Sequence, residues 1–163
     1  MIRSITPCLW FDGKAEEAAT FYVSVFERSR ITHVSRYGEE GRDVHGQAPG
    51  TVLTVAFELE GQPFTALNGG PQFEFTEAIS FQVMCETQAE IDRLWDALSA
   101  GGDEKARQCG WLKDRYGLSW QIVPTVLQQL LADRDPAKAG RTMKAMLAMK
   151  KLDVATLQLA HAG

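Results

Sequence analysis

The sequence predicts an α+β protein built from two β-α-β-β-β modules, residues 1–72 and 73–124, followed by a helical tail at 125–163. Three observations lead there. Four apolar positions, Ala18, Phe21, Tyr22 and Val25, recur as Ile91, Leu94, Trp95 and Leu98, each shifted by the same 73 residues, which marks an internal duplication. Each copy of this helical face follows a short apolar run of strand character and precedes further strand patterns. After Pro124 the strand patterns give way to helical ones. A duplication of this kind places a ligand between its halves.

The first strand is read at Ile5 to Phe11, too short for a helix and bounded by Asp12-Gly13, with Asp12 as the cap of the first helix. From Lys14 to Glu27 the apolar residues Ala18, Phe21, Tyr22, Val25 and Phe26 fall on one helical face, while Glu16, Glu17 and Ser24 point away. Ile31 to Tyr37 alternates as a second strand. Gly38 to Gly50, with its glycines, proline and charges, reads as a mobile loop. Thr51 to Leu59 and Phe64 to Leu67 complete the first module, joined through Gly61-Gln62-Pro63 and ended by Asn68-Gly69-Gly70-Pro71.

The second module opens with a strand at Ile79 to Cys85 and a helix begun by the capping-box spacing of Thr87 and Glu90 and stopped by Gly101-Gly102. Glu104 to Gln108, Trp111 to Tyr116 and Ser119 to Val123 supply its remaining strands, with Tyr116-Gly117 turning the last pair. In the tail, helices are expected at Thr125 to Ala132, Ala137 to Lys150 after the Asp135 cap and Pro136, and Val154 to Ala160. Met143, Met146, Leu147 and Met149 make this tail an interface element, packing on the sheet or on a partner subunit.

A net charge of -4 with 23% charged and 45% apolar residues describes an ordinary globular chain and gives no electrostatic reason to approach nucleic acid. Cys8, Cys85 and Cys109 are odd in number and widely spaced, with no Cys-x-x-Cys pair, so they are expected as reduced thiols. No stretch reaches a membrane-spanning length, and the N-terminal run lacks the features of a secretory signal, so a cytoplasmic protein without membrane contact is expected.

Catalytic patterns are sparse. Gly117-Leu118-Ser119-Trp120 lacks the final glycine of a nucleophile elbow, and no His-Asp spacing supports a triad. The adjacent carboxylates Glu16-Glu17 and Glu39-Glu40 fall on a solvated helix face and in a loop. His33 lies in the second strand, His45 in the loop and His161 at a frayed C-terminus. Trp10, Trp95 and Trp120 are expected between sheet and helix. Trp111, beside Lys113 and Asp114, leaves two readings: a hairpin salt link, or a rim contact with an anionic or aromatic ligand.

Several runs carry a family resemblance: Leu9-Trp10-Phe11-Asp12-Gly13-Lys14-Ala15-Glu16-Glu17-Ala18, Phe21-Tyr22-Val23-Ser24-Val25-Phe26, Ala66-Leu67-Asn68-Gly69-Gly70, Cys109-Gly110-Trp111-Leu112-Lys113-Asp114 and Gly117-Leu118-Ser119-Trp120-Gln121-Ile122-Val123-Pro124. With them, nearly the whole chain resembles the PhnB-like family, labelled "3-demethylubiquinone 3-methyltransferase domain", of the vicinal oxygen chelate superfamily. The resemblance implies the glyoxalase/bleomycin-resistance fold: paired βαβββ modules whose curved sheets form a cleft, usually completed by homodimerisation, sometimes with elements exchanged between subunits. It also implies a divalent metal held by side chains from four strands. Carried onto this chain, the metal positions are Pro7, Thr65, Ser80 and Gln121, a set with one amide, two hydroxyls and a proline that cannot coordinate. No bound metal and no cofactor are therefore expected. The methyltransferase label calls for a glycine-rich turn opening a helix, whereas Asn68-Gly69-Gly70 leads into Pro71.

Strand alternation places Pro7, Leu9, Thr65, Leu67, Ser80, Gln82, Ser119 and Gln121 on the cleft face, opposite the helix-packing residues Cys8, Trp10, Phe81, Trp120 and Ile122, with Trp111 and Lys113 at the rim. Hydroxyls and amides among aliphatic walls suit a small polar or aromatic molecule. Two function classes stay open: a metal-free small-molecule-binding protein, or an enzyme of the glyoxalase, dioxygenase or epimerase type, with methyl transfer a further alternative.

Overall fold

The computed structural model describes residues 1–163 and divides into two compact units, Met1–Glu74 and Phe75–Gly163.

In the first unit β1 (Cys8–Phe11), α1 (Ala15–Val25), β2 (Arg30–Arg36), α2 (Arg42–His45), β3 (Val52–Leu59) and β4 (Gln62–Asn68) succeed one another. The four strands form an open sheet in the order β1-β4-β3-β2, parallel between β1 and β4 and antiparallel elsewhere. Helix α1 buries Ala15, Ala18, Ala19, Tyr22 and Val25. Tyr22 stacks on Phe57 at 6.2 Å, and Phe57 on Phe64 at 5.4 Å. Burying a side chain of this size stabilises the unit by about 1.5–3 kcal/mol.

Asp12 does not cap α1. The donor at its start, the Ala15 N–H, is accepted instead by Oδ1 of Asn68, 2.9 Å away at the end of β4, while Nδ2 of Asn68 donates to the Val52 carbonyl at 3.0 Å. A single buried amide therefore ties the helix start to β4 and β3. The β3–β4 hairpin is tighter than Gly61-Gln62-Pro63 indicates: Leu59 pairs with Gln62, and Glu60 and Gly61 alone turn the chain with φ of 49° and 84°. Two left-handed residues in succession match the twist of the flanking strands. The loop from Gly38 contains the short helix α2, and Tyr37 meets His45 of that helix at a 35° tilt, ring centroids 4.5 Å apart, and donates its hydroxyl to the Asn68 carbonyl at 2.6 Å.

The second unit runs β5 (Ser80–Cys85), α3 (Gln88–Ser99), β6 (Trp111–Lys113), β7 (Ser119–Pro124), α4 (Val126–Leu131), α5 (Pro136–Leu147) and α6 (Val154–Ala162). Its sheet has the order β5-β7-β6, with β5 parallel and β6 antiparallel to β7. Thr87 and Glu90 form the expected capping box. Where a strand is expected at Glu104 to Gln108, a 3₁₀ turn stands at Glu104–Ala106, and only the bridge between Gln108 and Trp111 remains. The cause is local: the Asp103 carboxylate accepts the Lys105 N–H at 2.9 Å, which favours a turn over an extended ladder.

The tail is knitted into this unit. Val123, Leu127, Leu152 and Leu157 make a buried cluster, with Met146 and Met149 packed against it. The Gln88 side chain donates to the Leu152 carbonyl at 3.1 Å and accepts from the Val154 N–H at 2.9 Å. His161 is not frayed: its Nε2 lies 2.9 Å from Asp133 Oδ2, and Arg141 donates to the carbonyls of Ala160 and His161. No helix is long and apolar enough to cross a membrane.

Candidate functional site

The register of the second sheet decides which side chains share its face. Ser80 and Lys113 both pair with Ser119, and Gln82 and Trp111 both pair with Gln121. Directly paired residues point the same way, so Ser80–Ser119–Lys113 and Gln82–Gln121–Trp111 form two cross-strand rows on one face. The opposite face carries Phe81, Leu112, Trp120 and Ile122, under which α3 places Ile91, Leu94, Trp95 and Leu98. All six residues expected from this half at the ligand face are brought together, joined by Met84, which is 41% exposed and was not among them.

These rows are linked by hydrogen bonds. Nε2 of Gln121 donates to the Ser80 hydroxyl at 2.8 Å, and Nε2 of Gln82 donates to Oε1 of Gln121 at 3.2 Å. Ser119, 1% exposed, has a buried hydroxyl with no hydrogen-bond partner. Lys113 does not reach its chain neighbour Asp114 but Glu77, at 2.7 Å, in the turn ahead of β5. The salt link that Lys113 makes thus runs to the turn ahead of β5 rather than within the β6–β7 hairpin, and the Lys113 ammonium holds the Glu77 carboxyl below the usual carboxylate range.

Asp114, 2% exposed, has another task. Its carboxylate accepts from the Tyr116 N–H at 2.8 Å, the Leu118 N–H at 3.1 Å and the Trp120 indole at 2.9 Å. These bonds shape the turn between β6 and β7, and so set the positions of Lys113, Ser119 and Gln121. The Lys-Asp pair in sequence could have pointed to it, since an aspartate that opens a hairpin turn is a common acceptor for the turn's own N–H groups.

On the first sheet the expectation holds for β4 and fails for β1. Thr65 and Leu67 lie on the face turned away from α1, where Cys8 pairs with Thr65 and Trp10 with Leu67. Leu9 pairs with Ala66 and is only 5% exposed, packed with Phe11 on the α1 side. Pro7, in phase with Leu9, stands one residue before the strand and contributes its carbonyl to the Thr65 N–H. Pro7 and Leu9 thus exchange faces with Cys8 and Trp10. Leu9, Trp10 and Phe11 are all apolar, so alternation could not choose between faces; the pairing with β4 decides. Trp10 lies against Gly69 and Gly70: its indole donates to the Gly70 carbonyl at 2.8 Å, its ring meets Phe73 edge-on at 4.9 Å, and a Cβ on Gly69 would clash with three of its ring atoms.

The four positions at which the resemblance places metal ligands do not make a donor set. Pro7 offers no side-chain donor, Ser80 is engaged by Gln121, and Oε1 of Gln121 is engaged by Gln82. No group of three or more His, Cys, Asp or Glu side chains stands where it could hold a metal ion. The residues present do not fit a tightly held divalent ion.

A family model described as 3-demethylubiquinone-9 3-methyltransferase matches residues 3–123, so the tail from residue 124 lies beyond it. The structure of the PhnB protein from Bacillus cereus is 39% identical, with a TM-score of 0.64 over 76% of this chain and 100% of that one. Protein PA1353 from Pseudomonas aeruginosa is 19% identical, with a TM-score of 0.59 over 76% of this chain and 98% of its own. The fosfomycin resistance protein FosX from Mesorhizobium loti is 15% identical, with a TM-score of 0.53 over 82% and 100%, respectively. The last two show the fold alone, which is that of the glyoxalase and bleomycin-resistance proteins. No curated protein matches the sequence.

Proposed function

Because the chain belongs to the PhnB-like, 3-demethylubiquinone-9 3-methyltransferase family, we propose that it is a metal-free binding protein that holds a small polar or aromatic molecule on the open face of its second sheet. The observation that carries this reading is the relay from Gln82 through Gln121 to Ser80, flanked by Trp111 and Met84. Its amides can exchange one partner for a ligand oxygen or nitrogen at small net cost, because bonds are swapped rather than lost. The flat apolar surface of Trp111 then offers a ring to stack on.

The two rows themselves contain no carboxylate and no imidazole, and the carboxylate beside them, Glu77, is held in an ion pair by Lys113, which favours the binding reading over general-base or Lewis-acid chemistry of the superfamily type. A methyl donor of the adenosyl class would need a glycine-rich turn opening a helix. Gly69 instead accommodates the Trp10 ring and the Gly70 carbonyl accepts its indole N–H, and no helix intervenes before β5. The three free thiols suit a reducing, cytoplasmic setting. A homodimer belongs to the same proposal: β5 forms one edge of its sheet, and Ile79 and Met84 stand exposed there.

A thermal-shift screen of aromatic and quinone-like compounds tests the reading. A ligand at ten times its Kd adds about 1.4 kcal/mol, or about 3–6 °C in Tm for a chain of this size. The stabilisation is expected to fall away in Gln121→Ala and Gln82→Ala. If every stabilising compound acts equally on wild type and variants, the site is wrong. Light scattering on the eluting protein checks the dimer, and a monomer at working concentration removes that part.

A further inference from the structure

Resting on the binding face proposed above, we propose that the row Ser80–Ser119–Lys113 is a subsite for a carboxylate on the ligand, and that Glu77 occupies it in the free protein as an internal counter-ion that the ligand displaces. Four observations converge on this row. Lys113 is the only cation in the two rows, and its side chain is mostly covered, at 22% exposure. Its partner Glu77 is 60% exposed and sits in a turn outside the sheet, at 2.7 Å. Directly across the strand from Lys113 lies the Ser119 hydroxyl, buried and without a partner. Beside Ser119 on the other flank lies the Ser80 hydroxyl, which already receives a donor from Gln121 and keeps its own proton free to give.

Each part has a chemical consequence. A buried hydroxyl left unpaired is uncommon and costs stability, so its presence points to a partner that arrives from outside. A hydroxyl and an ammonium are both donors to a carboxylate, and the cross-strand distance of a directly opposed pair brings their side chains to one small region. One ammonium neutralises one negative charge, which fits a monoanionic carboxylate better than a phosphate dianion. The carboxylate of Glu77 demonstrates that this chemistry is accepted by Lys113. With the Glu77 side chain 60% exposed the ion pair is weak, so an incoming carboxylate has little to overcome. Glu77 would then set the threshold concentration at which a ligand binds, while keeping the ammonium paired in its absence.

The subsite extends the amide relay into a two-part recognition surface. The row Gln82–Gln121–Trp111 takes the ring or polar body of the ligand, and the adjacent row takes its acid group. A neutral probe should therefore use only the first row and an anionic probe both, which separates the two proposals by experiment.

The experiment is a titration of the full chain, labelled with nitrogen-15, with benzoate, neutral benzamide and inorganic phosphate, read by amide shifts. Benzoate is expected to move Lys113, Ser119 and Ser80 together with Gln121, and phosphate to bind more weakly. Glu77→Gln, a surface change that leaves the fold intact, removes the internal competitor and should tighten benzoate binding up to about five-fold. Lys113→Met should weaken benzoate and leave benzamide unaltered. Unchanged or weaker benzoate binding in Glu77→Gln, equal binding in Lys113→Met, or no benzoate response up to tens of millimolar overturns the subsite. If benzamide still moves Gln82 and Gln121 in that event, the binding face survives without the subsite. If no probe moves either row, both readings fall.

Discussion

Replacing Asp114 should be the most damaging single change to the hairpin that carries the site. In Asp114→Ala, the Leu118 N–H and the Trp120 indole, both buried, lose the carboxylate they donate to at 3.1 and 2.9 Å. A buried donor left without a partner costs about 1–3 kcal/mol, and more when the lost acceptor was charged. The Tyr116 N–H, half-buried, can turn to water and adds little. The two buried donors together come to about 2–6 kcal/mol, and recovery of the carboxylate's desolvation cost brings the net loss to about 2–4 kcal/mol. Asp114→Asn keeps one carbonyl oxygen for the two backbone donors but can set an amide N–H against the indole N–H, so it should cost about 1–3 kcal/mol. Urea unfolding monitored by tryptophan fluorescence reads these values; at a slope of about 2 kcal/mol/M the alanine variant loses about 1–2 M in midpoint. The double cycle of Asp114→Asn with Trp120→Phe should show a coupling of at least about 0.5 kcal/mol. An alanine variant within about 1 kcal/mol of wild type, or an additive cycle, would refute the assignment of Asp114 as the organiser of the β6–β7 turn.

Three further perturbations test the scaffold. Asn68→Ala should lower stability by about 2–4 kcal/mol in urea unfolding because it orphans the Ala15 N–H and the Val52 carbonyl; Asp12→Ala should stay within about 0.5 kcal/mol, and a reversal of that order would return the cap to Asp12. Gly69→Ala drives a methyl into the Trp10 ring and should cost about 1–3 kcal/mol, while Gly140→Ala, with nothing within 4 Å of its Cβ in α5, should stabilise by about 0.5–1 kcal/mol by thermal unfolding. The backbone N–H groups of Thr87 and Glu86 hold the Glu90 carboxyl below its usual value of 4.5. A depressed carboxyl contributes stability that is present above that value and lost as pH falls through the folded-state value. Glu90→Gln keeps a capping acceptor without the titration, so its Tm should decline less steeply below pH 4.5 than that of the wild type; parallel curves would remove Glu90 from the acid transition.

Much of the fold was legible because the relevant signals are local. The repeat of Ala18, Phe21, Tyr22 and Val25 in Ile91, Leu94, Trp95 and Leu98 marks two helices that each bury one face, and all but Phe21 are buried. Thr87 with Glu90, and Asp135 before Pro136, announce helix starts whose partners lie within four residues. On the candidate face, the orientations of β5 and β7 are readable because polar and apolar residues alternate there: Ser80, Phe81, Gln82 and Ser119, Trp120, Gln121. That of β1 is not, because its consecutive apolar residues leave the two faces indistinguishable until β4 pairs with it.

What the sequence determined alone is thus the set of short-range choices: most element types, the duplicated strand-helix start of each unit, and the faces of strands whose alternation is chemically marked; the turn at Glu104–Ala106, where a strand is expected, is the exception. The tertiary structure decided everything that depends on a partner distant along the chain. It assigned the cap of α1 to Asn68, 53 residues away from Ala15, turned Leu9 inward and Trp10 outward, and gave Lys113 to Glu77 rather than to its neighbour Asp114. Side-chain hydrogen bonds and ion pairs extend only a few ångströms, so which groups meet is set by strand register and packing, and neighbouring positions in sequence often point to opposite faces of the same sheet.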